Sequence, residues 1–454
     1  MKSRLLQQAA FAGLTAVMLG VTPAAQAESF KQALVNAYRS NPTLQGDRAR
    51  QRSTDELVPS AKSGWRPRIE ASGDVSRNYS NPEGVPDRDW TSSSVDIQLT
   101  QPLFRGFKTV EGVAEARENV KAGRQQLLAV EQQVLLDAAT AYMNVIRDRR
   151  ILALREQNVA NLQRQANAAQ ARFEAGEVTR TDVSQARARV SGAKAQVASA
   201  RSTLAESSAR YAQIIGHKPD KLATPGFANN PKTLSAAIEI ASSVNPNILQ
   251  AAHTQLAQEH AVEVAKGDLL PSASLQASAS LSNDAQFGGG ESRSANIAGV
   301  LNVPIYEAGA VYSDVRRAKQ IESQRRIQVV EAGRAVVKGV TTAWNFLSAA
   351  REVIVSARAQ VAAAAEALNG VQQEYLVGSR STIDVLNAEQ EVINARINLV
   401  SAEHDHVLAS YELQAAIGKL TARNLGLAGP YYDAGENYRR VKNKWIGTDV
   451  ETVE

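Results

Sequence analysis

Asp182 and Asp384 are the acidic residues whose setting in the sequence is best suited to chemistry. Each stands three positions after a hydroxyl residue, Thr179 and Ser381. At that spacing a carboxylate and a hydroxyl cap the first turn of a helix reciprocally. Gly176 and Gly378 lie just upstream, where a preceding helix needs a residue that tolerates left-handed backbone. Capping stabilises such a helix by about 1 kcal/mol. A carboxylate exposed at a turn can also pair with an arginine, and Arg380 and Tyr375 lie close to Asp384 in sequence. Nothing comparable points to catalysis or metal ligation. The five histidines include His253 and His260, seven apart, and His404 and His406, which project to different sides of a helix. There is no HExxH, GxSxG or GxxxxGK[ST], and no cysteine for a thiol nucleophile, disulfide or thiolate site. The glycine cluster Gly288–Gly290 falls in a loop between strands. The reading is of a protein that is not an enzyme and holds no metal or cofactor.

The elements that position these residues occur twice. Gly176 and Gly378, Asp182 and Asp384, Pro102 and Pro304, Tyr142 and Trp344, and Gly216 and Gly418 are all 202 positions apart. Asn41-Pro42 and Asn245-Pro246 match at 204. Each half is a unit of about two hundred residues, far longer than a solenoid repeat. After Asp182, small or apolar residues recur at 183, 186, 190, 193, 197, 200, 204, 211 and 214, the seam of a coiled coil. The seam repeats from Val385 with one break, where His406 replaces Leu204. A proline-free stretch precedes each seam, from about residue 106 to 173 and from 308 to 375. As helices these would be roughly 100 Å long. A shorter helix is expected over about 30–60.

Each half also carries two segments of period 2. Ile69, Ala71, Gly73 and Val75 alternate with polar residues, as do Val95, Ile97 and Leu99, then Leu275, Ala277, Ala279 and Leu281. Ile297, Gly299, Leu301 and Val303 form a fourth, less regular set. About ten residues is the length of a tilted membrane strand. Trp65, Phe104 and Tyr306 at one end, and Tyr79 and Trp90 at the other, suit interfacial girdles. Four strands cannot close a membrane barrel, and open edges are not tolerated in lipid. The barrel must then be shared between copies, and twelve strands from three copies leave a lumen that eight would fill. Two short helices stacked end to end match one long helix, giving one helical column per strand. The competing architecture is a periplasmic coiled-coil structural or adaptor protein with a soluble β-domain, which would need no lipid-facing rows.

The first residues set the compartment. Lys2 and Arg4, an apolar run and Ala25-Gln26-Ala27 read as a secretory signal peptide over 1–27. Without those two cations the formal charge of +5 falls to +3, and the basic stretches at 147–150 and 439–444 read as solvated surface, not a nucleic-acid site. The expected layout is a first repeat over 28–216, with strands about 66–79 and 91–104, and a linker at 217–232. A second repeat follows over 233–418, with strands about 270–284 and 292–306, and then a C-terminal segment over 419–454.

The Asn-Pro pairs, QPLFRGF at 101–107, RFEAGEVTRTDVSQA at 172–186 and YLVGSRSTIDVLNAEQ at 375–390 together resemble the TolC family of outer-membrane export ducts, over essentially the whole mature chain. KNKWIG at 442–447 is similar to the variant found with type I secretion and efflux systems of proteobacteria. The resemblance implies a mainly α homotrimer with a twelve-stranded β-barrel in the outer membrane, continued by a twelve-helix α-barrel through the periplasm. The segments near 217–235 and 419–454 would form an equatorial belt. The turns at Gly176 and Gly378 would be the periplasmic tip, a closed iris until a periplasmic adaptor and an inner-membrane transporter dock. By position, Asp384 matches an acidic ring at the narrowest point. Tyr375 and Arg380 match a tether whose partners are Thr181 and Asp182. Asn387 stands where some members carry a second acid.

Overall fold

The computed structural model describes residues 27–81, 83–284 and 290–450. The expected signal peptide lies outside them apart from Ala27, as do residue 82, the loop 285–289 between the third and fourth strands and the last four residues. The first half runs α1 (Phe30–Ser40), α2 (Pro42–Asp55), α3 (Leu57–Lys62), β1 (Arg68–Ser80), β2 (Arg88–Arg105), α4 (Lys108–Glu174) and α5 (Arg180–Ile215). The second runs α6 (Leu234–Val244), α7 (Pro246–Lys266), β3 (Ser272–Asp284), β4 (Gly290–Asn302), α8 (Ala310–Leu376) and α9 (Thr382–Ile417), and α10 (Glu436–Val441) closes the chain. The long helices α4 and α8 have 67 residues each, and α5 and α9 have 36 each.

The single helix expected over 30–60 is instead three. The reason is local: Asn41 accepts from the backbone N–H of Thr43 and Leu44, and Pro42 opens α2 at a position where its missing N–H costs nothing. The Asn41 side-chain amide also donates to the Ile214 carbonyl at the end of α5, 3.0 Å away. One asparagine therefore caps two helices that meet end to end. Asn245 does the same in the second half, accepting from Asn247 and donating to the Ala416 carbonyl at 2.9 Å. These joints turn α5 with α2–α3, and α9 with α7, into quasi-continuous columns.

Packing fixes the column order. α4 lies between α5 with α2–α3 on one side and α9 with α7 on the other, and α8 packs against α9 and α7. The sheet order is β1-β2-β3-β4, all antiparallel. Each strand is continued by its own column, as the sequence implied, and the columns keep the order of the strands. Because α4 is flanked on both sides it buries a long series of residues, including Leu135, Ala138, Tyr142 and Val145. α8, at the margin, buries few.

The core is densest midway along α4. Phe30, Tyr142, Tyr211 and Tyr411 meet there, with the Phe30 ring centroid 5.2 Å from Tyr142 and 4.9 Å from Tyr411. The linker and the C-terminal segment wrap this level. Tyr142 donates to the carbonyls of Glu28 and Ala223, Ser410 accepts from the Ala228 N–H, and Arg48 lies between the rings of Tyr38 and Tyr432. Below it the seam residues Val183, Ala186, Val190, Ala193 and Val197 are buried against α4, and Val385, Val392, Ala395 and Ala402 are buried on α9. His406, the break in the seam, is half-buried with its ring 4.4 Å from that of Phe227.

The register carries the alternation across all four strands. Ala71 pairs with Ile97, Ile97 with Ala279, and Ala277 with Ile297. On the other face Ser72 pairs with Asp96, Asp96 with Ser280, and Ser280 with Ser294. One face carries an apolar band across all four strands yet is exposed, with Ile69, Val75 and Ile297 uncovered over about two-thirds of their surface or more. Among the described residues no helix is long and apolar enough to cross a membrane.

Candidate functional site

The sequence-selected residues gather at the far end of the long helices from the sheet. Gly176 and Gly378 adopt φ of +82° and +80°, which L side chains rarely take. Both turns satisfy their helix-end carbonyls in the same way: Glu177 N–H bonds Arg172 O at 2.9 Å, and Ser379 N–H bonds Glu374 O at 2.9 Å. In the helix that follows, the Asp182 carboxylate accepts from the backbone N–H and hydroxyl of Thr179, at 2.9 and 2.7 Å. Asp384 accepts from the same groups of Ser381, at 3.0 and 2.7 Å. These bonds and nearby Arg380 hold the Asp384 carboxyl below its usual range, so it stays charged in mildly acidic water.

Within one chain, Tyr375 and Arg380 do not meet Thr181 and Asp182. Tyr375 lies under the Arg172 guanidinium of α4, 4.8 Å from ring centroid to carbon, with its hydroxyl 3.3 Å from that of Thr382. Arg380 donates to Glu374 at 2.6 Å, and this pairing holds its pKa above the usual arginine range. Thr181 is exposed and Asp182 half-buried.

Sequence reading missed the residues that join the two coils. Arg189 of α5 donates to Asn387 of α9 at 2.9 Å, and Gln165 of α4 donates to the buried Glu389 at 3.2 Å. Burial pushes the Glu389 carboxyl up from its usual range. Glu389 stands beside the seam position Ala388 and leaves the seam unbroken, so no sequence signal marked it, and none marked Arg172 or Arg189. Among the described residues no group of three potential ligands could hold a metal ion.

A chain whose apolar-faced sheet runs strand by strand into long helical columns that end in tight turns has the architecture of the class of outer membrane channels. The model of the outer membrane efflux protein family matches residues 33–217 and 237–419. The chain is 41% identical over 427 residues to the outer membrane efflux protein BepC of Brucella suis, covering 93% of this chain and 92% of that one. It is 28% identical over 429 residues to the outer membrane protein TolC of Escherichia coli, covering 89% and 85%. The CmeC outer membrane channel of Campylobacter jejuni shares the fold, with a TM-score of 0.77 at 16% identity over 91% of this chain and 89% of that one. The chain belongs to the outer membrane efflux protein family, and its place is the outer membrane, with the helical columns extending into the periplasm.

Proposed function

We propose that three copies close into one passive exit duct, which receives substrate from an inner-membrane transporter through a periplasmic adaptor and opens outside the cell. It serves a tripartite efflux or type I secretion system. The observation that carries this is the open protomer: β1 and β4 each leave an edge unpaired, the apolar sheet face is bare, and α8 exposes Ile327, Val330, Phe346, Val353 and Val355. An unpaired strand edge in lipid costs several kcal/mol per backbone group, so the edges must pair with further copies. Twelve strands and twelve columns then match around the ring, with the apolar face toward outer-membrane lipid. The test is the detergent-solubilised mass: a trimer is expected, and a monomer soluble without detergent refutes the duct.

The tip is the gate. Asp384 from three copies forms a ring of negative charge at the constriction, single because Asn387 is neutral. Tyr375 holds the inner coil to α4 through Arg172, and Arg380 reaches Thr181 and Asp182 of an adjoining coil in the closed ring. Differences between the halves support unequal movement: Val178 and Arg180 stand where the second half has Arg380 and Thr382. Arg380→Ser combined with Tyr375→Phe should raise single-channel conductance in planar bilayers. Conductance equal to wild type would show that no such latch exists.

A further inference from the structure

The duct leaves the C-terminal KNKWIG motif without a use, yet the structure holds this segment firmly and aims it. Asn437 of α10 donates to the fully buried Asp55 carboxylate at 3.0 Å and to the Arg52 carbonyl at 3.2 Å. Tyr438 packs on Val58, Ala116 and Val120, with the Arg124 guanidinium 5.2 Å from its ring. Lys62 of α3 then donates to the Lys442 carbonyl at 3.0 Å and to the Asn443 side chain at 2.7 Å. The segment thus climbs α2 and α3 toward the sheet. It ends in a tight loop: Gly447 takes φ +107°, and the Lys444 ammonium bonds the carbonyl and carboxylate of Asp449. The loop presents two large apolar side chains to solvent, Trp445 at 65% and Ile446 at 90% exposure.

The height of the loop is fixed by Arg66, whose guanidinium lies 4.7 Å from the Trp445 ring centroid. Arg66 is two residues before β1, about 7 Å of extended chain, so the ring it meets lies near the level where the sheet begins. At the same end the sheet exposes Leu103 and Phe104 of β2 and, just past β4, Ile305 and Tyr306. Tryptophan favours the headgroup level of a bilayer, where its ring is in acyl-chain water boundary and its N–H is hydrated. The arginine beside it, Arg66, matches lipid phosphates.

We propose that the Trp445–Ile446 loop inserts into the periplasmic leaflet of the outer membrane, with Arg66 on the phosphates of its phospholipids, as a second anchor outside the barrel. This rests on reading the sheet as lipid-facing. The loop fixes the depth at which strands give way to helices, because it is tied to α2, α3 and α4 and not to the sheet.

Trp445 is its own probe. The chain has four tryptophans. Replacing Trp65, Trp90 and Trp344 by Phe leaves Trp445 as sole reporter in the full-length protein, reconstituted into phosphatidylethanolamine–phosphatidylglycerol vesicles. The expected result is emission quenched by brominated acyl chains, more strongly for bromines near the headgroup than for bromines deep in the chain, and spared by aqueous iodide. Quenching by iodide alone overturns the proposal and leaves the loop free for a periplasmic protein. Quenching by neither also overturns it, since a neighbouring copy then covers the ring. A companion variant with Trp445→Phe and Ile297→Trp places the reporter in the middle of the sheet. Deep-bromine quenching there, with none at Trp445, sinks the anchor and leaves the membrane sheet standing. No lipid quenching at either position sinks both.

Discussion

Gly106→Ala tests the geometry that passes the chain from sheet to helix. Each junction turns through two consecutive left-handed residues, Gly106-Phe107 at φ +59° and +63°, and Ala308-Gly309 at +50° and +82°. Glycine takes the first place in one half and the second place in the other. Ala308 shows that a methyl group at the first place is tolerated by the turn itself, at a backbone cost of about 1–2 kcal/mol. At 106 a Cβ would also fall closer than 3.0 Å to the Gly267 carbonyl oxygen, nearer than real Cβ atoms come. That oxygen belongs to the α7–β3 junction and already accepts from Leu270 N–H at 3.2 Å, so it cannot move freely. Forcing an extra methyl into a packed site adds about 1–3 kcal/mol. The sum, about 3 kcal/mol, should lower the urea midpoint of the detergent-solubilised protein by about 1 M, followed by far-ultraviolet circular dichroism. Gly176→Ala is the reference, since its φ is also positive but nothing lies within 4 Å of the added atom. If the two variants shift the midpoint equally, the Gly106–Gly267 approach contributes nothing and the reasoning fails.

Asn41→Ala removes both the cap of α2 and the bond to the end of α5, and should cost about 2–3 kcal/mol in the same assay, against about 1 kcal/mol for a cap alone. Burial raises the Glu131 carboxyl above its unfolded value of 4.5, although it accepts from Ala422 N–H at 2.8 Å. A raised acid binds its proton more tightly when folded, so this stabilisation is full below pH 4.5 and fades as pH climbs through the folded value. Glu131→Gln keeps the acceptor and should raise the unfolding midpoint at neutral pH, with no gain in acid. Asp384 has the opposite sign: its lowered pKa keeps the carboxylate charged as pH falls to 3.8, and the charge goes only below that. Cation preference in single-channel reversal potentials should persist down to that pH and disappear in Asp384→Asn; loss at a higher pH would place the selecting charge elsewhere.

Much of this architecture is written in local pattern. The 3-4 seam after Asp182, the proline-free stretches and the period-2 segments each specify an element through side chains close in sequence, and the Thr179 and Ser381 capping spacings specify how the coils begin. Even the break at Asn41-Pro42 was legible, since an asparagine before proline caps the helix that proline opens, and the single helix over 30–60 ignored it. What sequence spacing could not supply is partnership between distant residues. Arg380 bonds Glu374, on its own turn, because the capped helix end brings them together. Arg172 on Tyr375, and Arg189 on Asn387, depend on how α4 and α5 lie beside α8 and α9, an angle set by the packing of whole seams.

The sequence by itself determined the duplication, four strands and four columns, because alternation and chain length are properties of consecutive residues. Only the tertiary structure decided that Asn41 and Asn245 weld short helices into columns, that column order follows strand order, and that the C-terminal loop is carried up to the foot of the sheet. Those outcomes rest on hydrogen bonds and packing between separate segments, 171 to 380 residues apart at the Asn41, Asn245 and Lys62 bonds, whose meeting no local periodicity encodes.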